Sequence, residues 1–239
     1  MRVELQPGYV LHARPYSDSS LILDCFAEEF GRVSLLAKGA RNPKSRQRQL
    51  CQPFQPLILS WQGKSDLKTL THIEMQGTDY RFLQGDYLYS GFYLNELLLR
   101  TLSVGDSAPE LYQLYGTALG ELLRQQPLEP SLRRFELALL AERGYGVDLQ
   151  READHHTPLQ AQACYHWYPE SGWWRAAGDA PGAFDGAHLL AIGSDELDNS
   201  DVLKTAKRLS RLLLKPLLGE KPLRSRELFG QLINKGEER

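Results

Sequence analysis

The stretch SLILDCFAEEFGRVSLLAKG, residues 20–39, decides the fold of the first part of the chain. Apolar residues lead into and out of Phe30-Gly31-Arg32, a sequence that is typical of a tight turn. The pattern therefore predicts a β-hairpin with strands near residues 20–28 and 32–38. Three further stretches on either side of it have the composition of strands: YVLHARPYS, PFQPLILSWQG and LKTLTHIEMQG.

Five short strands separated by glycine and proline predict a small closed barrel. The OB fold is the best-known five-stranded barrel that binds nucleic acid. After about residue 82 the apolar pattern becomes helical. We therefore expect an α+β protein, with an OB-fold barrel over residues 1–80 and an α-helical domain over residues 81–239. Within the second domain, residues 150–185 lack this helical pattern, and CYHWYPESGWWRAA predicts a hairpin.

The third and the last of the predicted helices carry clusters of basic residues. The third is expected to follow Ser131 as its N-cap and to end at Gly144. The last, SDVLKTAKRLSRLLLKPLL, is expected to have all its bases on one face, because successive residues turn by 100°. Those bases are Lys204, Lys207, Arg208, Arg211 and Lys215, and the opposite, apolar face has Val202, Ala206, Leu209 and Leu213.

Positive charge is concentrated in two windows, although the formal net charge of the 239-residue chain is −2. From Phe30 to Ser65 there are seven bases and no acid, and from Lys204 to Glu227 there are eight bases and two acids. These windows sum to +7 and +6, so the rest of the chain sums to −15. Such segregation favours basic surfaces for a polyanion, and the alternative is a set of solvated loops and helix faces.

The composition also indicates the cellular compartment of the protein. No apolar run approaches the length of a membrane span, and the first residues lack the apolar region of a signal peptide. The three cysteines, Cys25, Cys51 and Cys164, lie far apart, which fits a reducing compartment without a disulfide framework. We therefore expect a cytoplasmic protein with no membrane partner.

Motifs for catalysis or for a cofactor are incomplete. Gly63-Lys64-Ser65 resembles the end of a phosphate-binding loop, but Ile58 stands where that motif needs a glycine. A candidate zinc cluster near the predicted hairpin has poor ligand spacing, which favours surface histidines over a metal site. Its members are His155, His156, Cys164 and His166. We expect no cofactor, no metal and no enzymatic activity.

Four stretches together give the chain a specific resemblance from end to end. They are VLHARPYSDSSLILDCFAEEFGRVSLLAKGAR, YSGFYLNELLLRTL, LRRFELALLAERGYGV and AKRLSRLLLKPLLGEKPLRSRELF. With these stretches the chain resembles the RecO family of bacterial recombination mediators, of the gamma-proteobacterial kind.

The resemblance implies an N-terminal OB fold followed by a helical domain with a small inserted subdomain, which corresponds to residues 150–190. It also implies binding of single- and double-stranded DNA, ATP-independent annealing of complementary strands, and a role in DNA repair by homologous recombination. The implied partners are RecR, with which the family loads recombinase, and the acidic C-terminal tail of the single-stranded-DNA-binding protein SSB. Many members have a four-cysteine zinc module in the inserted region, where this chain has only Cys164, so the zinc site is not expected here.

The first basic window supplies the candidate DNA contacts, because Lys and Arg neutralise phosphates without reading sequence. Phe54 and Trp61 are candidates for base stacking, although core packing is favoured for both. The candidate phosphate contacts are Arg32, Lys38, Arg41, Lys44, Arg46 and Arg48.

The SSB tail is acidic and ends in an apolar residue, so it needs an apolar pocket with basic residues beside it. We expect this pocket where the third and last helices meet, and the alternative for Arg133 and Arg134 is simple pairing with Glu136 or Glu142. The candidate residues are Arg133, Arg134, Phe135, Lys204, Lys207, Arg208 and Arg211.

Two other classes of function remain open on the sequence alone. An OB-fold module that binds RNA or tRNA would need the same basic loop. A metal-dependent nuclease would need a cluster of carboxylates, and the acids here are scattered.

Overall fold

The first part of the chain is a closed five-stranded barrel. The structure is a computed structural model that describes residues 1–77, 82–177 and 180–225. The strands pair in the order β1-β2-β3-β5-β4, and β4 pairs with β1 to close the barrel. This arrangement confirms the predicted α+β class with an OB fold at the N-terminus. The strands are β1 (Arg2–Pro15), β2 (Leu21–Ala27), β3 (Gly31–Ala37), β4 (Leu57–Gln62) and β5 (Leu67–Met75).

The predicted hairpin is confirmed as β2 and β3, which pair without a break from Leu21 opposite Ala37 to Ala27 opposite Gly31. Gly31 has a φ of +60°, and a Cβ at this position would lie 1.8 Å from the carbonyl oxygen of Asp106. Only glycine fits this turn, because a side chain would meet both backbone strain and a steric clash.

Alternating strand residues fill the barrel core. Cys25, Leu35, Leu59 and Trp61 are fully buried within it, and Phe30 packs edge-on against Trp61 with ring centroids 5.3 Å apart. The short helix α1 (Gln47–Leu50) lies in the connection between β3 and β4. The barrel thus holds both ends of the basic window at fixed positions.

Two helices, α2 (Gly85–Thr101) and α3 (Pro109–Leu123), pack against the barrel through a buried polar link. Asn95 of α2 donates from Nδ2 to the carbonyl oxygen of Leu11, at 2.8 Å. The hydroxyl of Tyr115 in α3 donates to Asn95 Oδ1, at 2.5 Å. Because these groups are buried, the link fixes both helices on β1.

The remaining described elements include three helices and a small antiparallel sheet, which has the strand order β7-β6-β8. Trp173 and Trp174 in β7 face opposite ways, as neighbouring strand residues must, and they are 1% and 55% exposed. The elements are α4 (Leu128–Glu142), β6 (Cys164–Tyr168), β7 (Gly172–Arg175), β8 (Phe184–Asp185), α5 (Gly186–Gly193) and α6 (Ser200–Leu218).

Helix α4 begins at Leu128, so the prediction that Ser131 is its N-cap is wrong. Pro130 lies in the first turn, where a helix has unsatisfied N–H groups in any case and proline removes no bond. The predicted end is confirmed. Gly144 has a φ of +77°, and the backbone N–H of Tyr145 donates to the carbonyl oxygen of Leu140, as in a Schellman cap.

The chain divides into two compact units. One comprises Met1–Leu128 with the segment that begins at Glu220, and the other comprises Glu129–Gly219. The predicted domain boundary at residues 80 and 81 lies outside the described residues. Among the described helices, none combines the length and the apolar character needed to cross a membrane.

Candidate nucleic-acid interface

The basic window lies in the connection between β3 and β4, which we call the basic loop (residues 38–48). Local turns give it a defined course. The backbone N–H of Lys44 donates to Asn42 Oδ1 at 3.0 Å, and the N–H of Ser45 donates to the carbonyl oxygen of Asn42 at 2.9 Å. Such Asx turns form because the short Asn side chain can replace a backbone acceptor. The loop is therefore organised by its own sequence.

Three of the predicted phosphate contacts line one open depression of about 470 Å³, which we call the basic depression. All three are exposed, and no acid occurs between Phe30 and Ser65. In the described part of the chain, none of them forms an ion pair. The bases are Lys44, Arg46 and Arg48, and the other lining residues are Pro43, Ser45, Gln49 and Gln52.

Arg41 connects the basic loop to the β1–β2 loop (residues 16–20). Its Nη1 donates to the carbonyl oxygen of Ser17, and its backbone N–H donates to the carbonyl oxygen of Ser19 at 3.0 Å. Lys38 is exposed just after β3. Both residues are accessible to a ligand, but neither lines the basic depression.

Arg32 has a different environment from the other predicted phosphate contacts. It lies on β3 and is half-buried, and its Nη1 donates to the carbonyl oxygen of Leu99 in α2, at 2.5 Å. The backbone N–H of Gly105 donates to the carbonyl oxygen of Arg32, at 2.8 Å. Arg32 therefore joins the barrel to α2, and five of the six predicted bases remain available to phosphate.

The residues suggested for base stacking are buried. Trp61 is fully buried in the barrel, and Phe54 is 6% exposed and packs edge-on against Phe92. The structure instead exposes Tyr16, at 59%, in the β1–β2 loop, next to exposed Arg14. Neither residue was predicted as a DNA contact, since YVLHARPYS was assigned to a strand; the turn residues that follow Tyr16 in YSDSS are the signal that could have placed it in a loop.

In the second unit, two residues predicted to hold the SSB tail are buried in α4. Arg133 donates from Nη2 to Glu136 Oε1 at 2.9 Å, and their side chains are 6% and 1% exposed. Phe135 is 2% exposed. Arg134 is on the surface, where its Nε lies 2.8 and 3.0 Å from the two carboxylate oxygens of Asp195.

Helix α6 has the two faces that were predicted, since Val202, Ala206, Leu209 and Leu213 are buried. Most bases on its other face have partners. Lys204 pairs with Asp201 at 2.8 Å, which raises the pKa of Lys204 and lowers that of Asp201. Lys207 pairs with Glu129 at 3.0 Å. Two of the three lysines of α6 are therefore already neutralised, whereas Lys215 is exposed and forms no ion pair among the described residues.

The two arginines of that face have different environments. Arg208 lies over the Phe184 ring at 3.8 Å and donates to the carbonyl oxygen of Ala183 at 2.6 Å. Partial burial lowers the pKa of its guanidinium. Arg211 is exposed beside Leu212, which is 45% exposed. Arg226 and Glu227, at the end of the second basic window, lie outside the described residues.

The comparisons with known proteins agree with this architecture. The family model for the Recombination protein O N terminal matches residues 1–78, and that for the Recombination protein O C terminal matches residues 83–227. The chain belongs to the RecO family. It is 46% identical to the DNA repair protein RecO of Cellvibrio japonicus over 233 residues, which are 96% of this chain and 98% of the relative.

Two further relatives have a similar identity to this chain and the same name, DNA repair protein RecO. The protein of Photobacterium profundum is 45% identical over 225 residues, covering 94% of this chain and 95% of the relative. That of Haemophilus influenzae is 45% identical over 233 residues, covering 98% of both. Membership of the RecO family supports a role in DNA repair and recombination, and it implies DNA binding in that role.

The histidines of the inserted region do not gather into a metal site in the described structure. His155 and His156 are exposed, whereas Cys164 and His166 lie on β6. Within residues 1–77, 82–177 and 180–225, no three His, Cys, Asp or Glu side chains lie close enough to hold a metal ion. The residues present therefore do not fit a four-ligand zinc site.

Proposed function

We propose that this RecO-family protein binds single- and double-stranded DNA and anneals complementary strands without ATP. The basic depression is the observation that supports this most directly, because Lys44, Arg46 and Arg48 line it without acidic partners. The proposed phosphate contacts are these three residues with Lys38 and Arg41.

Annealing follows from the physics of two polyanions. Two strands repel each other through their phosphates, and bound Lys and Arg side chains neutralise that charge and release counterions. A loop that contacts only phosphates reads no sequence, so it holds any strand while complementary bases find each other. The free energy of annealing comes from base pairing, which is why no nucleotide hydrolysis is needed.

A strand-annealing assay tests this proposal. We would compare the wild type with Lys44→Gln/Arg46→Gln/Arg48→Gln, using complementary labelled strands without ATP. The matched control is Lys64→Gln/Arg124→Gln/Lys221→Gln, which removes three exposed bases elsewhere in the same unit that form no ion pair among the described residues. We expect the loop variant to lose most of its annealing rate and the control to keep it. Equal rates for both variants would contradict the proposal.

Substituting RNA for DNA in the same assay separates the leading function from an RNA- or tRNA-binding module. A DNA-binding mediator prefers a DNA strand over RNA of the same sequence at matched salt. A clear preference for RNA would favour the alternative, because the 2′-hydroxyl is the group by which a protein distinguishes the two.

We further propose that the acidic tail of SSB binds the exposed face of α6. Arg208 and Arg211 offer cationic groups there, and Leu212 offers apolar surface for the last residue of the tail. Arg134, Lys204 and Lys207 take part only if their ion pairs open, and Arg133 and Phe135 take no direct part because they are buried. Titration with a tail peptide should show weaker binding to Arg211→Ala than to the wild type, whereas an equal affinity would contradict this placement.

We also propose that the protein acts with RecR to load recombinase on SSB-coated DNA in the cytoplasm, associated with the nucleoid, and that it is not an enzyme. Gly63 supports the last point, because it lies between β4 and β5 and not between a strand and a helix as in a phosphate-binding loop. Recombinase loading should need both proteins and no ATP hydrolysis by this chain. ATPase activity or magnesium-dependent cleavage of DNA would contradict the proposal.

A further inference from the structure

Tyr16 is an exposed aromatic side chain that stabilises no packing contact in the described part of the chain. It is 59% exposed, and neither a ring contact nor a hydrogen bond of its hydroxyl group holds it there. An aromatic ring left in water at a loop forfeits the gain of burying its area.

The β1–β2 loop holds Tyr16 at a fixed place. The backbone N–H of Tyr16 donates to the carbonyl oxygen of Ser20 at 3.1 Å, and Pro15 pairs with Leu21 at the end of the ladder. These contacts close the loop at its base. The backbone that carries the ring is therefore ordered before any ligand arrives, which lowers the entropic cost of binding.

Arg41 attaches this loop directly to the basic loop. Its two hydrogen bonds, to the carbonyl oxygens of Ser17 and Ser19, fall on either side of Asp18. Asp18 is the only acid in the β1–β2 loop. Two bases lie close to this loop, since Arg14 precedes the loop in the sequence and Arg41 is hydrogen-bonded to it. A strand held by its phosphates at Arg41 therefore passes the loop that presents Tyr16.

We propose that Tyr16 is a base-stacking platform that favours single strands over duplex DNA. This inference rests on the proposed DNA binding by the basic loop and assigns it a further binding residue. An unpaired base offers a free face to the phenol ring, and stacking of this kind tolerates any sequence. The bases of a duplex are already stacked on each other, so they gain nothing from Tyr16.

The size of the effect follows from alanine substitutions in other stacking sites. Loss of one stacked base corresponds to a decrease in affinity of about 5- to 150-fold. Because Tyr16 is uncharged, Tyr16→Ala does not change the number of counterions that are released when DNA binds. The dependence of log Kd on log salt concentration should keep its slope, in contrast to the loss of a phosphate contact.

The experiment measures the binding of three probes of equal length to the wild type, Tyr16→Ala and Tyr16→Phe. The probes are an oligo-dT strand, the same backbone with abasic sites throughout, and a duplex. We expect Tyr16→Ala to weaken binding of oligo-dT by at least about five-fold with an unchanged salt slope. Binding of the abasic strand and the duplex should stay at the wild-type level, and Tyr16→Phe should retain binding to oligo-dT.

Tyr168→Ala is the matched control, because it removes an exposed tyrosine from the other unit. An equal loss of binding for all three probes would overturn the inference, since it would indicate a damaged loop. Unchanged binding of oligo-dT would overturn it as well. The basic-loop variant in the same salt series separates the two proposals: a flatter slope with no effect of Tyr16→Ala retains the DNA interface and rejects only the stacking residue.

Discussion

The basic loop and the exposed face of α6 each carry five bases, but their surroundings differ. No acid lies within the basic loop or elsewhere between Phe30 and Ser65. On α6, Lys204 pairs with Asp201, and Lys207 pairs with Glu129, which comes from α4. A base must leave its acid before it neutralises a phosphate, so a paired base releases fewer counterions on binding DNA. Availability of charge, and not its density, therefore distinguishes the two surfaces.

Shape separates the two surfaces as well. The basic loop surrounds an open depression with Lys44, Arg46 and Arg48, which suits a charged backbone. On α6, Arg208 lies flat on Phe184, and Leu212 is exposed next to Arg211. Cations with apolar neighbours suit a ligand that combines acids with an apolar end. The comparison therefore supports the two proposals, that the loop binds DNA and that the helix binds an acidic peptide.

The largest expected effect concerns Arg133, which the comparison places in the core of the second unit and not on its basic surface. Arg133→Ala breaks the buried ion pair with Glu136 and should lower the free energy of unfolding by about 3–5 kcal/mol. Arg134→Ala breaks an exposed ion pair with Asp195 and should cost less than about 1 kcal/mol. Urea denaturation of both variants measures the difference.

The double variant Arg133→Met/Glu136→Leu serves as the control for this prediction. It replaces the buried pair with apolar groups of similar volume and should recover most of the lost stability. Similar stabilities for Arg133→Ala and Arg134→Ala would show that Arg133 belongs to the surface after all.

The next prediction removes the acids that distinguish α6 from the basic loop. Glu129→Gln/Asp201→Asn frees Lys207 and Lys204, and each new phosphate contact adds about 0.7 to the salt slope on a single strand. We therefore expect a slope steeper by about 1.4 in a salt series with a labelled single strand.

Glu110→Gln/Glu170→Gln controls for the change in net charge, since both residues are exposed and neither pairs with a base among the described residues. It should leave the slope within error of the wild type. If freeing the two lysines changes the slope no more than this control, then ion pairing is not what separates the two surfaces.

The smallest expected effect concerns the organisation of the basic loop. Asn42→Ala removes the side-chain acceptor for the N–H of Lys44 without removing charge. The loop then loses part of its preorganisation, and affinity for DNA should fall by about two- to five-fold at an unchanged salt slope. Fluorescence titration at several salt concentrations measures both quantities.

Asn199→Ala is the equivalent change at α6, where Asn199 Oδ1 accepts from the N–H of Asp201 at 2.7 Å. It should lower stability by about 1 kcal/mol and leave DNA binding unchanged. A larger loss of DNA affinity with Asn199→Ala than with Asn42→Ala would reverse the assignment of the two surfaces.

Local patterns were sufficient to predict the barrel and the two faces of α6. The hairpin of β2 and β3 was predicted because its strands are adjacent and its turn needs glycine at position 31. The start of α4 was missed, because Pro130 is as acceptable in a first turn as it is before a helix. These features depend on residues that are close together in the sequence, so they can be predicted, correctly or not, without knowledge of the fold.

The partners of individual bases could not be predicted in the same way. Lys207 and Glu129 are 78 residues apart, and Arg32 and its acceptor on Leu99 are 67 apart. The spacing of Arg133 and Glu136 permitted an ion pair, but only the fold shows that the pair is buried. The sequence therefore predicts which charged residues are candidates for a binding site. The tertiary structure determines which of them are exposed and unpaired, and so available to a ligand.

The most direct test of this account is a salt series with a fluorescent single strand and two matched fourfold variants. One is Arg41→Gln/Lys44→Gln/Arg46→Gln/Arg48→Gln, and the other is Lys204→Gln/Lys207→Gln/Arg208→Gln/Arg211→Gln. We expect the loop variant to flatten the slope of log Kd against log salt by about 3, and the helix variant by less than about 1. The reverse order, or equal changes for both variants, would contradict the claim that unpaired bases of the basic loop form the DNA interface.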